Sequence, residues 1–165
     1  MATASSLFLT TRNSLLRSIA LGGTFIFLIQ CIHQWIVITL IQQTPYILVW
    51  QYIASGILGN AAFEGGIITA LLGVLIHLII SFVVAGVFIL SAASILLVRR
   101  YPIAGSLLYG FGVFIVMNMV VTPLSAAPPL PTPTIPWLIE SILEHILLVG
   151  LPLGILVRRN ANTSI

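Results

Sequence analysis

The sequence predicts an all-α fold, an integral membrane bundle of four transmembrane helices, and three observations predict it. The 165 residues are 59% hydrophobic and only 5% charged, against roughly a quarter charged in a soluble domain. A water-facing surface cannot be built from them, and the mean hydropathy of +1.20 agrees. Four apolar runs are long enough to cross a hydrocarbon core of about 30 Å at about 1.5 Å per residue. Six arginines, with no lysine, stand in three pairs beside those runs: Arg12 with Arg17, Arg99 with Arg100 and Arg158 with Arg159.

Taken in chain order, the first run covers 18–41 and carries Cys31, the single cysteine. One cysteine makes no intramolecular disulfide framework and no cysteine metal motif, and inside an apolar run it reads as a small buried hydrophobe. Leu28-Ile29-Gln30-Cys31 has the outline of a lipoprotein cleavage box, but Gln30 stands where that box wants a small residue. The apolar run also continues to Ile41, so a retained anchor is expected. Thr44 and Pro45 then read as an N-cap and a first helical position. They open a helix over about 45–59, too short to span. Its Tyr46, Trp50 and Tyr52 favour the headgroup level, so it lies on the outer interface or dips in as a re-entrant piece.

The second run, 66–98, is longer than a crossing requires, so it tilts or projects near Glu64-Gly65-Gly66. Arg99-Arg100-Tyr101-Pro102 is a tight turn that makes a hairpin with the third run, 102–122. The connection 123–136 carries prolines at 123, 128, 129, 131, 133 and 136, which predicts a stiff extended strap. The fourth run, 135–157, opens with Pro136 and Trp137. Pro152 within it should kink the helix and free a carbonyl near Leu148. No repeat divides the chain, so 1–165 reads as one four-helix transmembrane domain.

Four crossings bring all six arginines to one face, while the only acids, Glu64, Glu140 and Glu144, fall on or toward the other. The positive-inside rule then places both termini in the cytoplasm and makes the chain a multi-pass cell-membrane protein. A pI near 9.6 is accordingly topogenic charge rather than a nucleic-acid patch, and no nucleic-acid partner is expected.

Seven polar residues lie inside the spans: Gln30, His33 and Gln34 on the first, His77 on the second, Asn118 on the third, and Glu144 with His145 on the fourth. Polar groups in hydrocarbon are costly, so each needs a partner or a task. Counted at about 1.5 Å per residue from the arginines, His33, His77, Asn118 and Glu144 all fall in the outer half of the membrane. Gln30, His33 and Gln34 share one helix face, as do Glu140 and Glu144. A cluster there can bind a metal through imidazole and carboxylate, ligate a haem through two of His33, His77 and His145, or relay protons. None of these has a diagnostic spacing, so no metal or cofactor is assigned. The plainer alternative is that these groups hydrogen-bond across helices and fix the packing. Glu144 fits that alternative least well, because a buried carboxylate must be neutral, paired or functional. Gly105 and Gly112 on the third span and the Gly150/Gly154 pair on the fourth are candidates for close helix packing.

The strings ASGILGNAAFEGG at 54–66, LLYG at 107–110, MN at 117–118, PLSAAP at 123–128 and HILLVGLP at 145–152 resemble a family of small bacterial inner-membrane proteins, the YagU-like family. The resemblance covers most of the chain from Gly56 onward. It implies a bacterial inner-membrane protein and brings no activity, cofactor or site residue with it.

Enzyme chemistry is not expected. Asp and Lys are absent from the sequence, no serine sits in a nucleophile elbow, and no phosphate-binding glycine motif is present. The expected role is that of a small non-enzymatic membrane protein, an accessory or interaction subunit of a larger assembly or a self-associating bundle. Its expected partners are membrane lipid and either further copies of itself or other membrane subunits. The alternative is a small oligomeric transporter or proton-conducting channel using Glu144, His145 and His77. A haem- or metal-binding membrane protein is the third reading.

Overall fold

The computed structural model describes residues 4–129 and 132–162, with side chains from 14 to 160, and contains four helical segments long and apolar enough to cross a membrane. The first is α1 (Ala4–Gln34), continued by π-helical turns over Trp35–Ile41. A shorter apolar helix, α2 (Ile47–Leu58), runs into a 3₁₀ turn over Gly59–Phe63. The second span is α3 (Gly66–Ser94), followed by the short α4 (Leu96–Arg100). Then come α5 (Pro102–Val116), π-helical turns over Met117–Val121 and α6 (Thr122–Leu124), which form the third span. The fourth is α7 (Ile135–Glu144), a π-helical stretch over His145–Gly150, and α8 (Leu151–Asn162). No strand occurs among the described residues.

The start of α2 and the end of the second span differ from the expectation: α2 begins at Ile47, capped at Tyr46 without a side-chain hydrogen bond, rather than at Pro45 behind Thr44, whose hydroxyl donates to the Gln42 carbonyl at 3.3 Å instead. The second span ends at Ser94 rather than 98, because Ile95 is extended (φ −104°, ψ 111°). At about 1.5 Å per residue α3 is already about 44 Å long, so the break lets Leu96–Arg100 turn away before α5 starts at Pro102. The fourth span begins with an N-cap the sequence reading passed over: the Thr134 hydroxyl accepts from the Trp137 amide at 3.4 Å. Pro136 then occupies the first turn, where its missing N–H costs nothing.

Helix α1 packs along α3, and α5 packs along the fourth span; contacts of α8 with α1 and α3 join the two pairs. At one end Asn160 donates to the Ser18 hydroxyl at 2.9 Å, and Gly154 lies against the Pro102 carbonyl. Arg17, Arg99, Arg100, Arg158 and Arg159 therefore share that end of the bundle; the Arg12 side chain lies outside the described residues. Nearest the arginine end sits the apolar core of Ile26, Ala85, Phe88, Ile89, Val149 and Leu153. Tyr109 closes it, its ring 5.2 Å from Phe88 and its hydroxyl donating to the Val84 carbonyl at 2.8 Å.

Close helix approach is concentrated at a few small residues. A Cβ on Gly150 would strike the Ser106 carbonyl, one on Gly154 the Ser106 hydroxyl, and one on Gly110 the His145 carbonyl. The interface of the third and fourth spans is thus built from Gly110, Gly150, Gly154 and the fully buried Ser106. Gly105 meets only Val98, at ordinary contact distance, and Gly112 meets nothing within 4 Å. Within the chain those two do not mediate close packing, because the face of α5 turned to the fourth span follows Ser106 and Gly110 at i, i+4.

The π-helical stretches have a local cause. Two of them end two residues before a proline, at Val121 before Pro123 and at Gly150 before Pro152. A proline ring collides with the carbonyl four residues back, and the wider i→i+5 turn removes the collision while keeping the helix continuous. Ahead of Pro152 the helix departs from regular α geometry in this way, over His145–Gly150.

Helix α2 covers the first turns of α3. The Trp50 carbonyl rests where Gly73 has no side chain, and Gln51 donates to the Gly66 carbonyl at 3.1 Å. Gly73 is seven residues into α3, about 10 Å along it, so α2 descends beside the second span. Gly59 and Gly66, both at positive φ (58° and 57°), make the reversal between the two helices. The strap is tied to the same helix: the Ala126 amide donates to the Gly56 carbonyl at 3.0 Å and the Tyr52 hydroxyl to the Pro128 carbonyl at 3.5 Å. Residues 128–129 and 132–134 form no helix or strand; 130 and 131 lie outside the described residues. The Tyr46 hydroxyl donates to the Cys31 carbonyl at 2.7 Å, and burial pushes this phenol above its ordinary range, so it remains the donor. Tyr46→Phe should lower stability by about 1 kcal/mol, read as an earlier midpoint in denaturant-induced unfolding in detergent.

Candidate functional site

The site lies about 12 Å from the end of the bundle remote from the arginines, at about 1.5 Å per residue. Helix α1 supplies His33 and Gln34 near its end, and α7 supplies Glu140 and Glu144 one turn apart. The i, i+4 spacing aims both carboxylates at the same neighbour. His33 Nε2 lies 3.2 Å from Glu140 Oε1, and His33 Nδ1 lies 3.4 Å from Glu144 Oε1. One imidazole therefore faces two carboxylates, one from each ring nitrogen. Gln34 donates to Glu144 Oε1 at 3.1 Å, fixing that carboxylate from the side.

The polar atoms are unevenly satisfied. Glu144 is 7% exposed, yet His33 Nδ1 and Glu140 Oε1, both shut off from solvent, have no hydrogen-bond partner in good alignment. The His33–carboxylate contacts are therefore short without being directed hydrogen bonds. Such buried, unpaired atoms cost free energy unless a proton, an ion or a second chain completes them.

A groove opens beside these residues on the outer flank of the fourth span, with a volume of about 640 Å³. Its floor is His33, Glu140 and Glu144, and its walls are Ile135, Pro136, Ile139, Leu143, Leu147 and Leu148. Lipid tails can cover the walls but offer nothing to the floor.

Of the seven polar residues singled out in the sequence, His33, Gln34 and Glu144 come together. His77 is held instead between Phe27 and Trp50, with ring centroids at 5.6 and 5.7 Å. His145 lies edge-on to Phe114 at 5.7 Å, and its Nδ1 is 2.8 Å from the Ser141 carbonyl of its own helix. Asn118 donates to the Phe114 carbonyl at 3.0 Å, again within its own helix. Gln30 is not among the groove-lining residues. Of the three histidines considered as haem ligands, only His33 lines the groove, so they do not converge on a shared space. Glu140 completes the cluster and was left out of it at the sequence level; its i, i+4 spacing to Glu144 was the available signal.

The arrangement can hold one or two protons or a small cation between a histidine and two carboxylates. It presents no activated nucleophile among the described residues. No family model, no curated protein and no solved structure matches the chain.

Proposed function

We propose that this chain is a small non-enzymatic accessory subunit of a larger membrane assembly, and that the groove along α7 receives the apolar face of a membrane helix from another subunit. The observation that carries this reading is the groove itself: exposed apolar walls with His33, Glu140 and Glu144 at their base. Exposed leucine and isoleucine side chains at Ile139, Leu143 and Leu147 supply the ridges into which a second helix packs. A partner of different sequence is favoured over a second copy, because a two-fold contact across this groove would bring four carboxylates together. The resemblance to YagU-like proteins and the arginines gathered at one end support a bacterial inner membrane with both termini cytoplasmic.

The second reading, an oligomeric transporter or proton-conducting channel, is expected from the sequence to use Glu144, His145 and His77; with His77 and His145 packed against aromatic rings, its pair would be Glu144 with His33. The apolar core of Phe88, Ile89, Val149 and Leu153 lies between that pair and the arginine end, so such a path would run between chains of the oligomer.

A single-cysteine variant, Leu143→Cys in a Cys31→Ser background, should cross-link in native membranes to one species of defined mass. Val83→Cys, exposed on the second span, should not. A cross-linked product at twice the chain mass would replace the accessory role with self-association; equal labelling from both positions would remove the groove as a docking site.

A further inference from the structure

We infer that His33, Glu140 and Glu144 form a binding site for a divalent first-row transition-metal ion, of the zinc class, at the floor of the groove. One ligand atom from each residue lies within 4.8 Å of the other two; the 3.2 and 3.4 Å contacts of His33 with the carboxylates run from different ring nitrogens, so one of those nitrogens ligates the ion and the carboxylate facing the other swings to it. Donors about 2.1 Å from a tetrahedral zinc stand about 3.4 Å apart, so the wider separation closes by a rotation of one carboxylate about its own side-chain bonds. The backbone need not move, because both glutamates sit on adjacent turns of one helix.

Three further features point to a cation. His33 Nδ1 and Glu140 Oε1 are buried without an aligned hydrogen bond, each facing only another member of the cluster, at 3.4 and 3.2 Å. With His33 neutral, two ionised carboxylates carry a charge of −2 in an apolar setting, which one divalent ion cancels. An imidazole with two carboxylates selects a first-row ion such as zinc over calcium or magnesium, which take oxygen ligands. Gln34 is the orienting residue: its amide holds Glu144 Oε1 at 3.1 Å, as partners behind ligands do in metal sites. Three protein ligands leave the fourth position toward the groove. The site is independent of what covers that groove, since metal binding is measured on the isolated chain and docking on the assembly.

The test is equilibrium dialysis of the full chain, freed of any affinity tag and stripped with chelator, against zinc in detergent micelles, with cobalt absorption as a second readout. One zinc per chain is expected, together with the intense visible bands of a four-coordinate cobalt site. Glu140→Gln and Glu144→Gln should each lose stoichiometric binding. Gln34→Ala should retain it with an affinity lower by about 10- to 100-fold, and Cys31→Ser should leave it unchanged. Glu140 is the more exposed carboxylate, so its variant decides the matter should the Glu144 variant fail to fold. Zinc remaining well below one per chain at saturation, or binding that persists in both Glu140→Gln and His33→Gln, overturns the site.

Discussion

Gly150→Val is expected to separate the third and fourth spans and to cost at least about 3 kcal/mol, the upper part of the range for overpacking. A Cβ at this position meets the carbonyl of Ser106 and, at 3.3 Å, the Cα of Gly110. Both are backbone, so no rotamer change relieves the collision, and one helix must slide or lift away from the other. Lifting uncovers Ser106, which is fully buried, and withdraws the walls around Val149 and Leu153 in the core. The same substitution at Gly112, which has nothing within 4 Å, should change stability by no more than about 0.5 kcal/mol. Reversible unfolding in mixed detergent, followed by tryptophan emission, measures both. Equal midpoints for the two variants would show that the spans do not approach through Gly150.

That contrast marks what could be read from the sequence. Span number, the outer helix and the gathering of the arginines at one end followed from apolar run length and charge placement, because a bilayer imposes both on any chain that crosses it. Which glycines make the contacts did not follow. Gly105, Gly112, Gly150 and Gly154 look alike as small residues on apolar helices, and only the rotation of α5 separates them: it turns Ser106 and Gly110 to the fourth span and leaves Gly112 outside. Gly73 was invisible for a similar reason. Its neighbour is the carbonyl of Trp50 in α2, and nothing local in the second span announces that a second helix will lie against it.

The polar residues divide in the same way. Depth could be counted from the arginines, and depth correctly brings His33, Gln34 and Glu144 to one level. Azimuth could not be counted, because π-helical turns at Trp35–Ile41, Met117–Val121 and His145–Gly150 widen the helices and break the 3.6-residue rhythm on which a facing pattern rests. His145 follows Glu144 directly, yet begins the widened stretch and bonds back to Ser141. Glu140, on the regular side of that boundary, keeps its i, i+4 relation to Glu144 and reaches His33.

Removing His33 alone should be worse for the fold than removing the whole cluster. In His33→Ala the two glutamates lose the ring that contacts both, and breaking one side of a buried charged group typically costs about 3–5 kcal/mol. The value here should fall toward the lower end, because 37% of the Glu140 side chain remains exposed in the groove. Replacing His33, Glu140, Glu144 and Gln34 together by leucine removes both unsatisfied atoms of the cluster, His33 Nδ1 and Glu140 Oε1, at once. The floor then matches its walls of Ile139, Leu143 and Leu147, and the variant should be at least as stable as the parent chain. The order expected in unfolding midpoints is therefore His33→Ala lowest, the parent chain above it, and the fourfold leucine variant equal or highest. Such an order means that the cluster contributes nothing the fold needs, so its retention inside the membrane has to be explained by what it binds. A fourfold variant less stable than His33→Ala would mean the reverse: the polar contacts between α1 and α7 hold the bundle together, and neither docking nor metal binding is required to account for them.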